Sequence, residues 1–166
     1  KELLKVYKEW TSKSAYKVKD LITKTPGRYI IDMPNTCRYY TTASNRKLNR
    51  GGSITINIEN PEVFDFMYCF INSSFTYWWW RIYDGGITYP SGLFNDMPIP
   101  INLATAEDKK AFAEIAKEMI DNEKNYIVKK VNAGVAQENI KFPEEYRIKI
   151  NNIIITVSMF YNQKIF

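Results

Sequence analysis

The chain has 166 residues, 45% apolar and 25% charged, the size and mix of one globular domain. It has no histidine and only two cysteines, Cys37 and Cys69, which excludes histidine triads, most zinc sites and a disulfide framework. The net charge is +5, but residues 1–50 carry 12 basic and 4 acidic side chains, so the basic excess lies wholly in the first third.

Residues 1–10 place Leu3, Leu4, Tyr7 and Trp10 near helical spacing and predict a short helix, broken by Ser12–Ser14. Residues 15–22 suit a short strand or an extended segment. Pro26-Gly27 is a turn, RYIIDM a strand closed by Pro34-Asn35, and CRYYTTA a second strand candidate. The polar stretch 44–53 is a loop, and ITINI alternates cleanly as a strand. Asn60-Pro61-Glu62 caps and starts a buried helix, VFDFMYCFI. Asn72, Ser73 and Ser74 interrupt it, a serine caps a second helix, FTYWWWRIY, and Asp84-Gly85-Gly86 ends that one. LFND makes one turn and the prolines keep MPIPI extended. Thr105 and Asp108 form a capping box for an amphipathic helix that the stripe Phe112, Ile115, Ala116, Met119, Ile120, Tyr126 and Ile127 carries to about residue 128. Residues 129–142 are expected to be a connector around Gly134, and a last helix follows Pro143. The two long helices predict an antiparallel pair.

No GxGxxG, P-loop or Cys-x-x-Cys occurs. Asp32, Glu59 and Glu62 are scattered and make no metal cluster, and Asp84 reads as a helix terminus. No catalysis, metal or cofactor is expected of this chain by itself. The two cysteines are expected to be reduced core residues. Of Trp78–Trp80, consecutive on a helix, at least two are expected to pack inward. Nowhere do eighteen apolar residues run together, and a cytoplasmic protein is expected. The chain opens at Lys1 without a signal-like segment, as a piece of a larger protein would.

The basic third suits a polyanion, nucleic acid above all, although a lysine-rich solvated surface gives the same count. Arg38, Tyr39 and Tyr40, then Asn45, Arg46, Lys47, Asn49 and Arg50, interleave cations, rings and amides across a strand and a loop. Such residues neutralise phosphates and reach base edges. An ordinary solvated loop has the same composition. Arg81, Tyr83 and Tyr89 around the second helix and its turn are further candidates for DNA contact.

At residues 70–100, FINSSFTYWWWRIYDGGITYPSGLFNDMPIP, the sequence resembles the target-recognition domain of adenine-specific DNA methyltransferases. The closest class is the TaqI-like C-terminal specificity domain of fused restriction–modification methylases, with type I restriction specificity subunits more distant. The shared features are an apolar helix ending in Asn-Ser-Ser, an aromatic helix, a glycine turn, a short extended piece and a Pro-Ile-Pro ending. The upstream RYYTTASNRKLNRGG and the terminal INNIIITVSMFYN also fit. The sequence departs at Met97, where an aromatic is usual, and over residues 1–25.

The resemblance and the residue pattern together imply an α+β fold, a small twisted mixed sheet with packed helices followed by the C-terminal helical pair. Residues 1–103 would be the DNA target-recognition domain and residues 104–166 the pair, within one unit. The implied function is sequence-specific recognition of duplex DNA, without chemistry of its own. The partner would be an N-terminal methyltransferase domain of the parent chain, which holds S-adenosylmethionine and flips the target adenine. Two other readings stand beside it: a protein-interaction module docking through the helical pair, and a single-stranded RNA-binding domain.

Overall fold

Asn60 organises the middle of the chain: its side chain accepts the Val63 N–H and Pro61 takes the first helical position. In the computed structural model, which describes residues 2–36 and 40–163, this cap opens a helix buried along most of its length. The elements in order are α1 (Glu2–Lys13), β1 (Tyr16–Lys17), α2 (Val18–Leu21), β2 (Tyr29–Pro34), β3 (Ser53–Ile58), α3 (Pro61–Ile71), α4 (Ser74–Tyr83) and α5 (Ser91–Asn95). Then come β4 (Pro98–Ile99), a 3₁₀ turn at Pro100–Asn102, α6 (Ala106–Asn122), a second 3₁₀ turn at Glu123–Tyr126, β5 (Ile127–Asn132), β6 (Val135–Ile140) and α7 (Glu144–Gln163).

The protein is a mixed α/β structure, but among the described residues its strands form three separate two-stranded antiparallel ladders, not the single mixed sheet expected: β1 with β4, β2 with β3, and β5 with β6. The β2–β3 ladder does not widen because its flanks are closed by single bridges, Thr23 to Asn57 and Asp32 to Ser44. Over residues 15–22 the strand is limited to Tyr16–Lys17, and the Val18 N–H donates to the Met97 carbonyl beside it. The Asp20 carboxylate accepts the Lys17 N–H at 2.8 Å and turns the chain into α2.

The strand expected at CRYYTTA does not form over residues 40–43; residues 37–39 lie outside the described residues. Here the backbone pairs with a side chain. The Asn72 amide accepts the Ala43 N–H at 2.8 Å and donates to the Ala43 carbonyl at 3.3 Å. The Thr41 hydroxyl donates to the Ile71 carbonyl.

The helix expected to reach residue 128 stops at Asn122, where the Glu123 carboxylate is captured by the loop at Ser44. The stretch read as a connector is a hairpin, in register from Ile127 opposite Ile140 to Asn132 opposite Val135. Its turn has Ala133 at φ 49° and Gly134 at φ 79°, the doubly left-handed turn that matches strand twist.

One apolar core runs through the molecule. Phe66 of α3 meets Phe112 of α6 edge-on at 4.8 Å, and Ala116 and Met119 of α6 and Tyr146, Ile150 and Ile154 of α7 join the same cluster. Trp79 and Trp80 are buried, and Trp79 Nε1 donates to the Leu93 carbonyl. Cys69 is buried beneath α6 as a free thiol donating to the Phe112 carbonyl, and burial pushes its pKa well up. Cys37 lies outside the described residues. No helix among the described residues is long and apolar enough to cross a membrane.

Candidate nucleic-acid interface

Two buried carboxylates shape the basic loop. Asp32, on β2, is fully buried. It accepts from Arg50 Nη2 at 2.7 Å, Thr55 Oγ1 at 2.7 Å, the Leu48 N–H at 3.3 Å and Ser53 Oγ at 3.4 Å. Its backbone exchanges both hydrogen bonds with Ser44. Glu123 accepts from Ser44 Oγ, from the Asn45 N–H at 3.1 Å and from the Tyr68 hydroxyl at 3.1 Å. Burial, then the Glu123 charge, pushes the Tyr68 phenol far above its usual range. Leu48 plugs the underside of the loop at 2% exposure. A buried charge is tolerated only when paired and hydrogen-bonded, so these partners are obligatory and hold residues 44–53 in one shape.

The Asn-Ser-Ser run supplies the other support, one task per residue. Asn72 holds the segment at Ala43. Ser73 accepts the Phe75 N–H and caps α4. Ser74 exchanges hydrogen bonds with the Asn151 amide of α7, its hydroxyl accepting at 2.8 Å and its N–H donating at 3.1 Å.

The β5–β6 hairpin is joined edge to edge with the basic loop. The Glu138 N–H donates to the Asn49 carbonyl at 2.7 Å, and the Asn49 amide donates to the Ala136 carbonyl at 3.1 Å. The Glu138 carboxylate accepts the Asn49 N–H and faces the Arg46 guanidinium at 3.5 Å. The Asn49 N–H first, and the Arg46 charge after it, hold the Glu138 carboxyl below its usual range. At the hairpin base, Ile140 is buried and Tyr126, Phe142 and Tyr146 pack edge-on at 5.7–6.2 Å.

Beside the hairpin lies a cleft of about 990 Å³. Lys130, Asn132, Gln137 and Asn139 line one wall; Asn35, Thr36, Tyr40 and Thr42 line another; Arg50, Gly51 and Gly52 and the start of α7 complete it. Arg147 of α7 stacks its guanidinium on the Tyr40 ring at 3.3 Å from the centroid and pairs with Glu144, and Tyr77 meets the same ring at 5.4 Å. Of the cations lining it, Arg50 is paired with Asp32 and Arg147 with Glu144, which leaves Lys130 and Lys141 as its net positive charge.

The residues singled out from sequence divide accordingly. Arg46, Lys47 and Asn49 are exposed on the loop, Asn45 is half-buried and Tyr40 is half-exposed at the cleft. Arg50 is not a surface cation: its side chain is 4% exposed and its charge is consumed by Asp32. Tyr89 is no surface residue either, being 1% exposed, with its ring stacked on Trp80 and its hydroxyl donating to the Thr76 carbonyl. The short extended piece expected at residues 87–89 is a bend instead: Ile87 is exposed and Tyr89, two residues on, is buried, where regular strand alternation would set both on one face. Arg81 and Tyr83 are exposed at the end of α4, where Arg81 donates to the Gly85 carbonyl; they are not among the cleft-lining residues. Arg38 and Tyr39 lie outside the described residues.

Sequence reasoning missed Lys130, Asn132, Gln137, Asn139 and Arg147. The β-branched residues Ile127, Val128 and Val131 ahead of the Asn-Ala-Gly turn were the available signal for the first four. Arg147 has no local signature, because Tyr40 meets it across more than a hundred residues of chain. No protein-family model, curated protein or solved structure matches the chain.

Proposed function

We propose that this chain recognises duplex DNA as the specificity domain of an adenine DNA methyltransferase or restriction–modification enzyme, the chemistry residing in a partner domain that binds S-adenosylmethionine. The observation that carries the reading is the continuous surface made by the basic loop and the hairpin. Arg46 and Lys47 project from a loop held in one shape by buried Asp32 and Glu123, and the loop is hydrogen-bonded along β6 to a hairpin whose amides line a cationic cleft. Cations on a fixed frame set register against phosphates, and amides at known positions read base edges. The resemblance at residues 70–100 points the same way, since Asn72 of its Asn-Ser-Ser run holds the segment at Ala43 that enters the loop. Among the described residues no group of three or more potential metal-ligating side chains converges.

The test is a titration of random duplex DNA at about 50 and 200 mM salt, beside a single-stranded control. Duplex binding with a non-specific Kd of roughly 10⁻⁴–10⁻⁶ M at physiological salt is expected. The double variant Arg46→Ala, Lys47→Ala should weaken it and lower the log–log salt slope by about 2, one per lost phosphate contact. Arg50 is left intact in this test because its removal acts on the fold. Absence of duplex binding at low salt, or a clear preference for the single strand, ends the proposal.

A further inference from the structure

We infer that the β5–β6 hairpin is the base-reading element of this surface, a two-stranded ribbon that enters the major groove and recognises adenine-containing sites through Asn132, Gln137 and Asn139. The inference rests on the duplex-DNA reading and assigns its specificity to residues outside the basic loop.

The argument begins with strand geometry. Side chains alternate faces along a strand, and the register sets Lys130 opposite Gln137 and Asn139 opposite Val128. One face of the ribbon therefore carries Lys130, Asn132, Gln137 and Asn139, and all four line the cleft. The other face carries Glu138, tied to Arg46 and Asn49, and buried Ile140. Glu138 and Ile140 tie that face to the scaffold, while its Val131 is 76% exposed and also lines the cleft; the face with the amides has no such tie. No hydrogen bond to another described residue occupies those four side chains.

That face presents three amides and a lysine, with Val128 and Val135 beside them. An amide presents a donor and an acceptor side by side, the pattern that pairs with N6 and N7 of adenine in the major groove, and that groove admits a two-stranded ribbon. Lysine pairs with guanine O6 and N7 or with a phosphate. The cationic excess of the cleft complements a polyanion.

The floor of the same cleft supplies an independent observation. Arg50 is pinned by Asp32 through Nη2, and its Nη1 is buried with no hydrogen-bond acceptor. A buried guanidinium nitrogen without an acceptor is costly to leave so. Arg50 is among the cleft-lining residues, and a nucleic-acid strand carries acceptors on every base and phosphate. The ribbon is also held still enough to read: the Lys141 N–H donates to the Tyr126 carbonyl at 2.9 Å, and the Asn49 contacts fix its edge.

The experiment is selection and sequencing of sites bound from a randomised duplex library, with the whole chain and the single variants Asn132→Ala, Gln137→Ala, Asn139→Ala and Lys130→Ala. The reading for each is the ratio of affinity for the selected site to affinity for random duplex. These side chains are exposed or half-buried, so the variants should fold, and a melting curve checks each. Loss of a ribbon amide should relax the preference at one or two adenine positions roughly ten- to hundred-fold. Lys130→Ala should either lower the salt slope by about 1 with the preferred site unchanged, or relax a guanine position. If the amide variants all keep the wild-type site at full discrimination, the ribbon is not the reading element, though the duplex-DNA reading survives. If the wild-type chain binds no duplex at all, both fall together.

Discussion

Replacing Asp32 by alanine should do more damage than any other single change near the site, although Asp32 touches no solvent. The carboxylate serves Arg50, Leu48, Ser53 and Thr55 at once. Removing it leaves the Arg50 guanidinium, 4% exposed, charged and unpaired. Breaking a buried pair in this way costs about 3–5 kcal/mol. Arg50→Ala should cost less, about 2–3 kcal/mol, the worth of a hydrogen bond to a charged group, because the carboxylate keeps its other donors. The double variant should then be scarcely worse than Asp32→Ala alone, a coupling of about 2–3 kcal/mol. Urea unfolding followed by tryptophan fluorescence measures this, since Trp79 and Trp80 are buried. On a total stability of about 5–15 kcal/mol the single loss brings the fold close to its limit. Strictly additive single and double variants, or an Asp32→Ala cost below about 1 kcal/mol, would show that the pair does not hold the loop.

Glu123→Ala orphans the Ser44 hydroxyl, the Asn45 N–H and the Tyr68 hydroxyl; a loss of about 2–5 kcal/mol in chemical denaturation is expected, and less than about 1 kcal/mol refutes the anchoring role. The raised Tyr68 pKa gives an alkaline limit: its contribution is complete below the unfolded value of 10.0 and is lost as pH rises from there toward the folded pKa. Stability measured between about pH 9 and 11 should fall, and Tyr68→Phe should flatten that fall. Gly27→Ala would put a methyl 2.9 Å from the Ile58 carbonyl oxygen, a backbone atom that cannot swing aside, so a loss of about 1–3 kcal/mol is expected by thermal or urea unfolding; an unchanged midpoint would show that β3 yields.

Helices were the most legible part of the chain. The caps at Asn60, Ser73 and Thr105 act as their residue types demand, and the apolar stripes of α3 and α6 face the core. Strands β2 and β3 were equally plain, β3 from clean alternation and β2 from the run RYIIDM between Pro26-Gly27 and Pro34-Asn35. Errors gathered where side chains replace backbone partners. Tyr40–Ala43 has strand composition, but its hydrogen bonds go to Ile71 and the Asn72 amide. The stripe that seemed to extend α6 past Asn122 belongs in part to a hairpin, because apolar residues serve a helix face and a strand base equally well.

The candidate site shows the same division. Composition and charge order pointed to a basic loop at 44–52, and exposed Arg46 and Lys47 sit there. Whether Arg50 faced water or the interior was not written locally. That depended on Asp32, eighteen residues upstream, entering a fully buried position next to it. By itself, then, the sequence determined where the longer helices begin, which of their faces turn inward and where positive charge accumulates, because caps, periodicity and charge counts act over a few residues. Only the tertiary structure decided which cations are spent on internal carboxylates, and that the hairpin amides share a cleft with the loop. Burial and pairing are properties of residues far apart in the chain, and their energies exist only once those residues meet.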